Sequence, residues 1–180
     1  MTRIYLIGYM GAGKTTLGKR MANVMNLGFI DLDKFIEGKY HMTVPEIFAE
    51  HGESGFRTIE QTVLREVSDI ENVVISTGGG APCFNDNMQL MNDTGLTVYI
   101  KASPDELASR LRASKTIRPI VASKSDEELV PFISEHLSKR EEYYNLAKIS
   151  FYTEHLVSKD DIYITVDKMV EEIKKWSNDL

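Results

Sequence analysis

Ile4 to Ile7 is an apolar run that ends at Gly8, and the pattern predicts a buried strand. A glycine-rich turn follows. Leu17, Met21, Val24 and Met25 then fall at helical spacing. Phe29-Ile30-Asp31-Leu32-Asp33 predicts a second strand, ending in two carboxylates. Pro45 opens a short helix with Ile47 and Phe48 on its apolar side. Phe56, Ile59, Val63, Val67 and Ile70 mark a longer one. Val73 to Ile75 predicts a third strand, which runs out at Thr77 and Gly78-Gly79-Gly80. Met88 and Met91 mark another short helix. Leu96 to Ile100 is the fourth strand, and Pro104 opens the helix after it. Between Ser114 and Ser125 the period is lost, which reads as a mobile loop. A helix from about Pro131 to Ala147, a fifth strand over Ile149 to Tyr152 and a last helix complete the chain. Ser158 and Asp161 form a capping box for that helix, which carries Ile162, Val166, Met169, Val170, Ile173 and Trp176.

Strands alternate with helices throughout, so the pattern predicts a parallel sheet covered on both faces. No repeat, low-complexity tract or linker interrupts it, and one α/β domain over residues 1–180 is the expectation. A chain of this length buries roughly 70% of its unfolded surface and needs no disulfide or zinc. Apolar residues are 42% and charged residues 27%, an ordinary globular balance. The net charge is −6 with eight arginines, which argues against a nucleic-acid partner but not against one small anion held locally. The single cysteine, Cys83, suits a reducing compartment. No run approaches the ~20 apolar residues of a membrane span. The expectation is therefore a cytoplasmic protein without membrane or nucleic-acid partners, and a monomer.

Gly8-Tyr9-Met10-Gly11-Ala12-Gly13-Lys14-Thr15 fits the phosphate-loop pattern in full, with a strand before it and a helix after it. The glycines let successive N–H groups point at phosphate oxygens, here around Gly11, Ala12 and Gly13. The helix N-terminus adds partial positive charge. Lys14 suits the β and γ phosphates of a nucleotide, and the Thr15 hydroxyl suits Mg²⁺. Thr16 is either a second phosphate-facing hydroxyl or a plain first-turn residue.

Asp31 and Asp33 end the second predicted strand, and ligands of open parallel sheets bind beyond the carboxyl ends of the strands. Residues i and i+2 share one side of a strand. One carboxylate can hold magnesium through water while the other takes a proton from a substrate hydroxyl; alternatively the pair caps a helix. Arg140 lies between Leu137 and Tyr144 on an apolar stripe, so it needs an anionic partner, either a ligand or an internal carboxylate. Gly78-Gly79-Gly80 offers bare backbone to a ligand or is a flexible turn. No N-K-x-D base-reading motif is present, and a small-molecule kinase is the best fit.

These residues resemble the shikimate kinase family. The resemblance rests on the loop at 8–15, Asp-Leu-Asp at 31–33 and Gly-Glu-Ser-Gly-Phe-Arg at 52–57 with Glu60. It continues through Thr-Gly-Gly-Gly-Ala at 77–81, Ile-Arg-Pro at 117–119 and Lys-Arg-Glu-Glu-Tyr-Tyr at 139–144, in family order over nearly the whole chain. It implies a three-layer α/β/α P-loop NTPase fold with a five-stranded parallel sheet in order 2-3-1-4-5. It also implies a substrate-binding helical segment at about 33–60 and a lid at about 113–125. The implied reaction is ATP + shikimate → ADP + shikimate 3-phosphate, in aromatic amino-acid biosynthesis. Asp33 would bind the ring hydroxyls and activate the attacking one. Arg57 and Arg140 would hold the carboxylate, with backbone contacts from Gly78, Gly79 and Gly80. Phe48 and Phe56 would line the apolar face of the ring. Thr15 and Asp31 would serve Mg²⁺, and Arg118 would reach the moving phosphate from the lid. Arg110, or Arg112 close behind, is expected at the adenine, with a surface ion pair as the alternative for both. Gly55 departs from the family pattern, where a larger residue is common. Two other readings stay open: a kinase of another small hydroxy acid such as gluconate, and a non-catalytic nucleotide-binding module.

Overall fold

The computed structural model describes residues 2–114, 124–153 and 156–178. Its strands are β1 (Arg3–Ile7), β2 (Gly28–Asp31), β3 (Val73–Ser76), β4 (Leu96–Lys101) and β5 (Ile149–Tyr152). All neighbours pair in parallel, in the order β2-β3-β1-β4-β5. β3 is buried at every position, and β1 and β4 at all but one. Burial on both faces is what a parallel sheet flanked by helices requires. Ile4, Leu6, Val74, Ile75 and Val98 form the centre of the core.

The helices are α1 (Lys14–Met25), α2 (Leu32–Tyr40), α3 (Val44–Val67), α4 (Asn87–Thr94), α5 (Pro104–Ala113), α6 (Asp126–Tyr144) and α7 (Lys159–Asn178). α1 packs on α7 on one side of the sheet, and α5 packs on α6. β1 lies between β3 and β4, so the chain leaves it in opposite directions on its two sides. The crevice at its carboxyl end is where such sheets bind ligands.

Three expectations need correction. The second strand stops at Asp31, and Leu32 already begins α2. Asp31 accepts from the Lys34 N–H at 3.3 Å and so caps that helix, a preference that ends the strand early. The helix expected from about Pro131 starts at Asp126, because Ser125 and Glu128 form a capping box and Pro131 is tolerated inside. Ile70 lies beyond the end of α3 and is partly exposed. The short and long helices expected around Pro45 and Phe56 are both present, as the two parts of α3 on either side of a break at Gly52 (φ 67°, ψ −178°), a conformation that favours glycine. The capping box of the last helix is present: Ser158 N–H donates to Asp161 Oδ2 at 2.7 Å, and Asp161 N–H donates to Ser158 Oγ at 3.1 Å.

Candidate active site

The phosphate loop connects β1 to α1. Gly13 sits in the left-handed region (φ 96°) just before α1, where an L side chain would be strained. The first turn of α1 has no acidic residue and no side-chain cap, so its positive end stays available to an anion. Lys14 is buried, and its Nζ donates to the carbonyls of Gly8 (2.8 Å) and Tyr9 (2.9 Å). Thr15 Oγ1 donates to Asp31 Oδ2 at 2.7 Å and lies 3.4 Å from Ser76 Oγ. These are hard oxygen donors beside the phosphate loop, the set that Mg²⁺ takes when most of its shell is phosphate and water. Among the described residues no three His, Cys, Asp or Glu side chains form a metal cage of their own. Thr16 is exposed in the first turn of α1.

Asp33 stands in the first turn of α2, and its carboxylate packs over Gly78: a methyl there would lie 2.9 Å from Asp33 Oδ1 and 3.1 Å from Glu60 Oε1. Helical geometry, not strand alternation, brings it to the site. Gly79 fills the next gap, where a methyl would meet Met10 N at 3.3 Å and Arg140 Nη1 at 3.7 Å. At Gly80 a methyl would collide with Arg57 Nη2 at 2.6 Å. Gly78 and Gly80 thus leave room for two carboxylates and Arg57, and Arg140 approaches the same stretch of backbone beside the phosphate loop.

Arg57 Nη1 donates to Glu60 Oε2 at 2.7 Å, and Nη2 reaches Glu53 Oε1 at 3.4 Å. Its Nε is buried without a hydrogen-bond partner among the described residues. The guanidinium lies 3.9 Å from the Phe84 ring centre, 5.2 Å from Phe56 and 6.0 Å from Phe48. Phe48 and Phe56 stack on each other at 4.4 Å. Burial pushes the Glu60 carboxyl up, against the pull of Arg57, and Asp33 adds to the rise.

α6 presents a stripe at four-residue spacing. His136 Nδ1 pairs with the Tyr9 hydroxyl at 2.8 Å, Arg140 lies 5.8 Å from the Tyr9 ring, and the Tyr144 hydroxyl donates to the Gly79 carbonyl at 2.5 Å. Among the described residues Arg140 makes no ion pair, so the internal salt bridge offered as its alternative is not seen there. Burial pushes the Tyr9 hydroxyl up to about 12, so it is a neutral phenol, and moves the Cys83 thiol up to about 11, which makes it a poor nucleophile.

Arg110 is engaged on several sides. It donates from Nε to Glu106 at 2.8 Å, from Nη1 to the Ala12 carbonyl at 3.1 Å and from Nη2 to the Thr153 carbonyl at 3.2 Å. It therefore ties the phosphate loop to the segment after β5, and Leu156 of that segment lies 3.1 Å from where a Gly13 methyl would be. Arg112 is exposed. Arg118 and most of the expected lid lie outside the described residues.

Glu60, Phe84, Tyr9, His136 and Tyr144 had no role assigned from sequence. Glu60 carried a usable signal, because it falls at i+4 from Phe56 on the buried face of α3. Tyr9 lies within the phosphate loop itself, and Phe84, His136 and Tyr144 meet the site through tertiary contacts.

Known proteins resemble this chain over nearly its whole length. The family model described as shikimate kinase matches residues 10–176. A shikimate kinase of Phocaeicola vulgatus is 54% identical over 175 residues, covering 97% of this chain and all of that protein. The crystal structure of shikimate kinase from Bacteroides thetaiotaomicron superimposes with a TM-score of 0.93 at 51% identity, covering 96% of this chain and 98% of that one. The Acinetobacter baumannii shikimate kinase, solved in complex with shikimate, has a TM-score of 0.85 at 32% identity, covering this chain fully and 96% of its own. With its sheet order, phosphate loop and paired arginines, the chain belongs to the shikimate kinase family.

Proposed function

We propose that this protein transfers the γ-phosphate of ATP to the 3-hydroxyl of shikimate, giving shikimate 3-phosphate and ADP. One observation carries the reading: Asp33, Arg57 and Arg140 converge on Gly78, Gly79 and Gly80 beside the phosphate loop. A cyclic acid bearing hydroxyls needs just these partners. Arg57 and Arg140 bind the planar carboxylate with charge-assisted hydrogen bonds. Phe48 and Phe56 cover the ring, and the Gly78–Gly80 backbone closes on it. Asp33 accepts hydrogen bonds from the ring hydroxyls and takes the proton of the one that attacks. As the new O–P bond forms, the bond from the γ-phosphorus to the bridging oxygen breaks, and ADP leaves.

The N–H groups around Gly11, Ala12 and Gly13 hold the phosphates, with Thr16 at the edge of the same turn. Lys14 stabilises charge on the transferring group. Thr15 and Asp31 would hold Mg²⁺, which when bound offsets phosphate charge. Arg118 supplies a further positive charge from the lid at about 113–125, and Arg110 backs the adenine side. We assign residues 1–180 to one kinase domain that acts as a cytoplasmic monomer on small molecules, with its acceptor segment at about 33–60. The lone Cys83 suits that compartment. Among the described residues no helix is long and apolar enough to cross a membrane. A coupled assay of ADP release with shikimate as the sole acceptor tests the reading.

A further inference from the structure

Phe84 lies outside every motif named above, yet its ring is nearer to the Arg57 guanidinium than Phe56 or Phe48, at 3.9 Å against 5.2 and 6.0 Å. The Arg57 side chain is only 13% exposed, and a cation–aromatic contact gains strength as water is excluded. The segment that carries Phe84 is also held firmly. A short 3₁₀ turn, Ala81–Cys83, precedes it, and the fully buried Asn87 donates from Nδ2 to the Ala81 carbonyl at 2.9 Å. Asn85 takes a left-handed turn (φ 53°). Asp86 then accepts from Gln61 Nε2 and Arg65 Nη2 of α3, both at 2.6 Å. Arg57, Gln61 and Arg65 are four residues apart on one face of that helix. Phe84 covers the first of them while Asp86 grips the other two.

We propose that Phe84 is a positioning residue for Arg57, holding the guanidinium by its face so that its edge is presented to the carboxylate of the acceptor. The inference rests on the reading of Arg57 as a carboxylate ligand. A face-on ring removes the rotamer freedom that a long side chain otherwise loses on binding, so affinity is gained by preorganisation.

Steady-state kinetics of four variants of the full chain test this. Phe84→Leu keeps an apolar side chain and removes the ring face, and should raise the shikimate KM by about fivefold while the ATP KM and kcat stay within about twofold. Phe84→Tyr should restore the original KM. Asp86→Ala, at an exposed position that folding tolerates, should shift the shikimate KM in the same direction by about twofold, and it carries the test if Phe84→Leu does not fold. An unchanged shikimate KM in Phe84→Leu, or in Asp86→Ala where that variant carries the test, overturns the proposal, as does a Phe84→Tyr enzyme as impaired as Phe84→Leu. Arg57→Lys separates the two claims: if it leaves the shikimate KM untouched, the carboxylate reading itself has failed; if it raises the KM and Phe84→Leu does not, only the positioning role has.

Discussion

Arg57 and Glu60 form an ion pair of 2.7 Å within one turn of α3, and the Glu60 side chain is 1% exposed. A buried carboxylate is costly unless paired, and here the pairing uses one arm of the arginine. Glu60 therefore anchors Arg57 through Nη1, while Nη2 reaches the exposed Glu53 at 3.4 Å. The same crowding explains Gly80, whose backbone is ordinary (φ −87°) but whose missing side chain is the space the guanidinium occupies.

Gly80→Ala should displace Arg57, since the new methyl would lie 2.6 Å from Nη2 and 2.8 Å from Nη1. No backbone strain is involved, so the fold should survive. The shikimate KM should rise by about tenfold with the ATP KM little changed, the scale of one charge-assisted hydrogen bond. Paired titrations of the two substrates check it, and equal losses for both would point away from Arg57.

Asp33→Asn should lower kcat by about a hundredfold or more, the usual loss on removing a general base. ATP affinity should remain, because Thr15 keeps its contact with Asp31. Turnover and nucleotide binding, measured on the same preparation, check the two halves independently; an active variant would mean that another group takes the proton.

Much of this was legible in the chain before folding. The apolar runs of β1, β3 and β4 are buried throughout the sheet centre, and the loop at 8–15 needed no tertiary information. Asp33 was expected at this end of the sheet by strand alternation, whereas helical geometry brings it there, because Asp31 ends the strand by capping α2. The Tyr9–His136 pair spans 127 positions and the Tyr144–Gly79 bond 65, so no local pattern announces either. Phe84 was hidden in the same way: its importance depends on Asp86 gripping α3 at Gln61 and Arg65.

Arg140→Ala should weaken shikimate more than ATP. Loss of a hydrogen bond to a charged group costs about 1.5–3 kcal/mol, which raises the shikimate KM by roughly tenfold to a hundredfold. Tyr144 should keep its bond to the Gly79 carbonyl, so thermal stability should change little. A larger loss of ATP than of shikimate affinity would assign Arg140 to the nucleotide.

His136 should titrate below the ordinary histidine value of 6.5, because burial and then the charges of Arg140 and Lys139 oppose protonation, with Glu135 acting the other way. Its pKa is lowered on folding, so the unfolded chain binds the proton first. Stability should therefore fall as pH drops from about 6.5 toward the depressed value, and level off below it. A carboxylate bound at Arg140 offsets positive charge, so shikimate should move the His136 titration back upward. Ring-proton NMR with and without shikimate reads both effects; a midpoint at or above 6.5 in the free protein would contradict the first.

The central claim is the identity of the acceptor, and a direct comparison of acceptors tests it. Purified protein with ATP and Mg²⁺ is given shikimate, gluconate or a nucleoside monophosphate, and ADP release is followed for each. Rapid phosphorylation of shikimate at its 3-hydroxyl, with the other two nearly untouched, is the predicted result. Equal turnover of gluconate, or no turnover of shikimate, would contradict it.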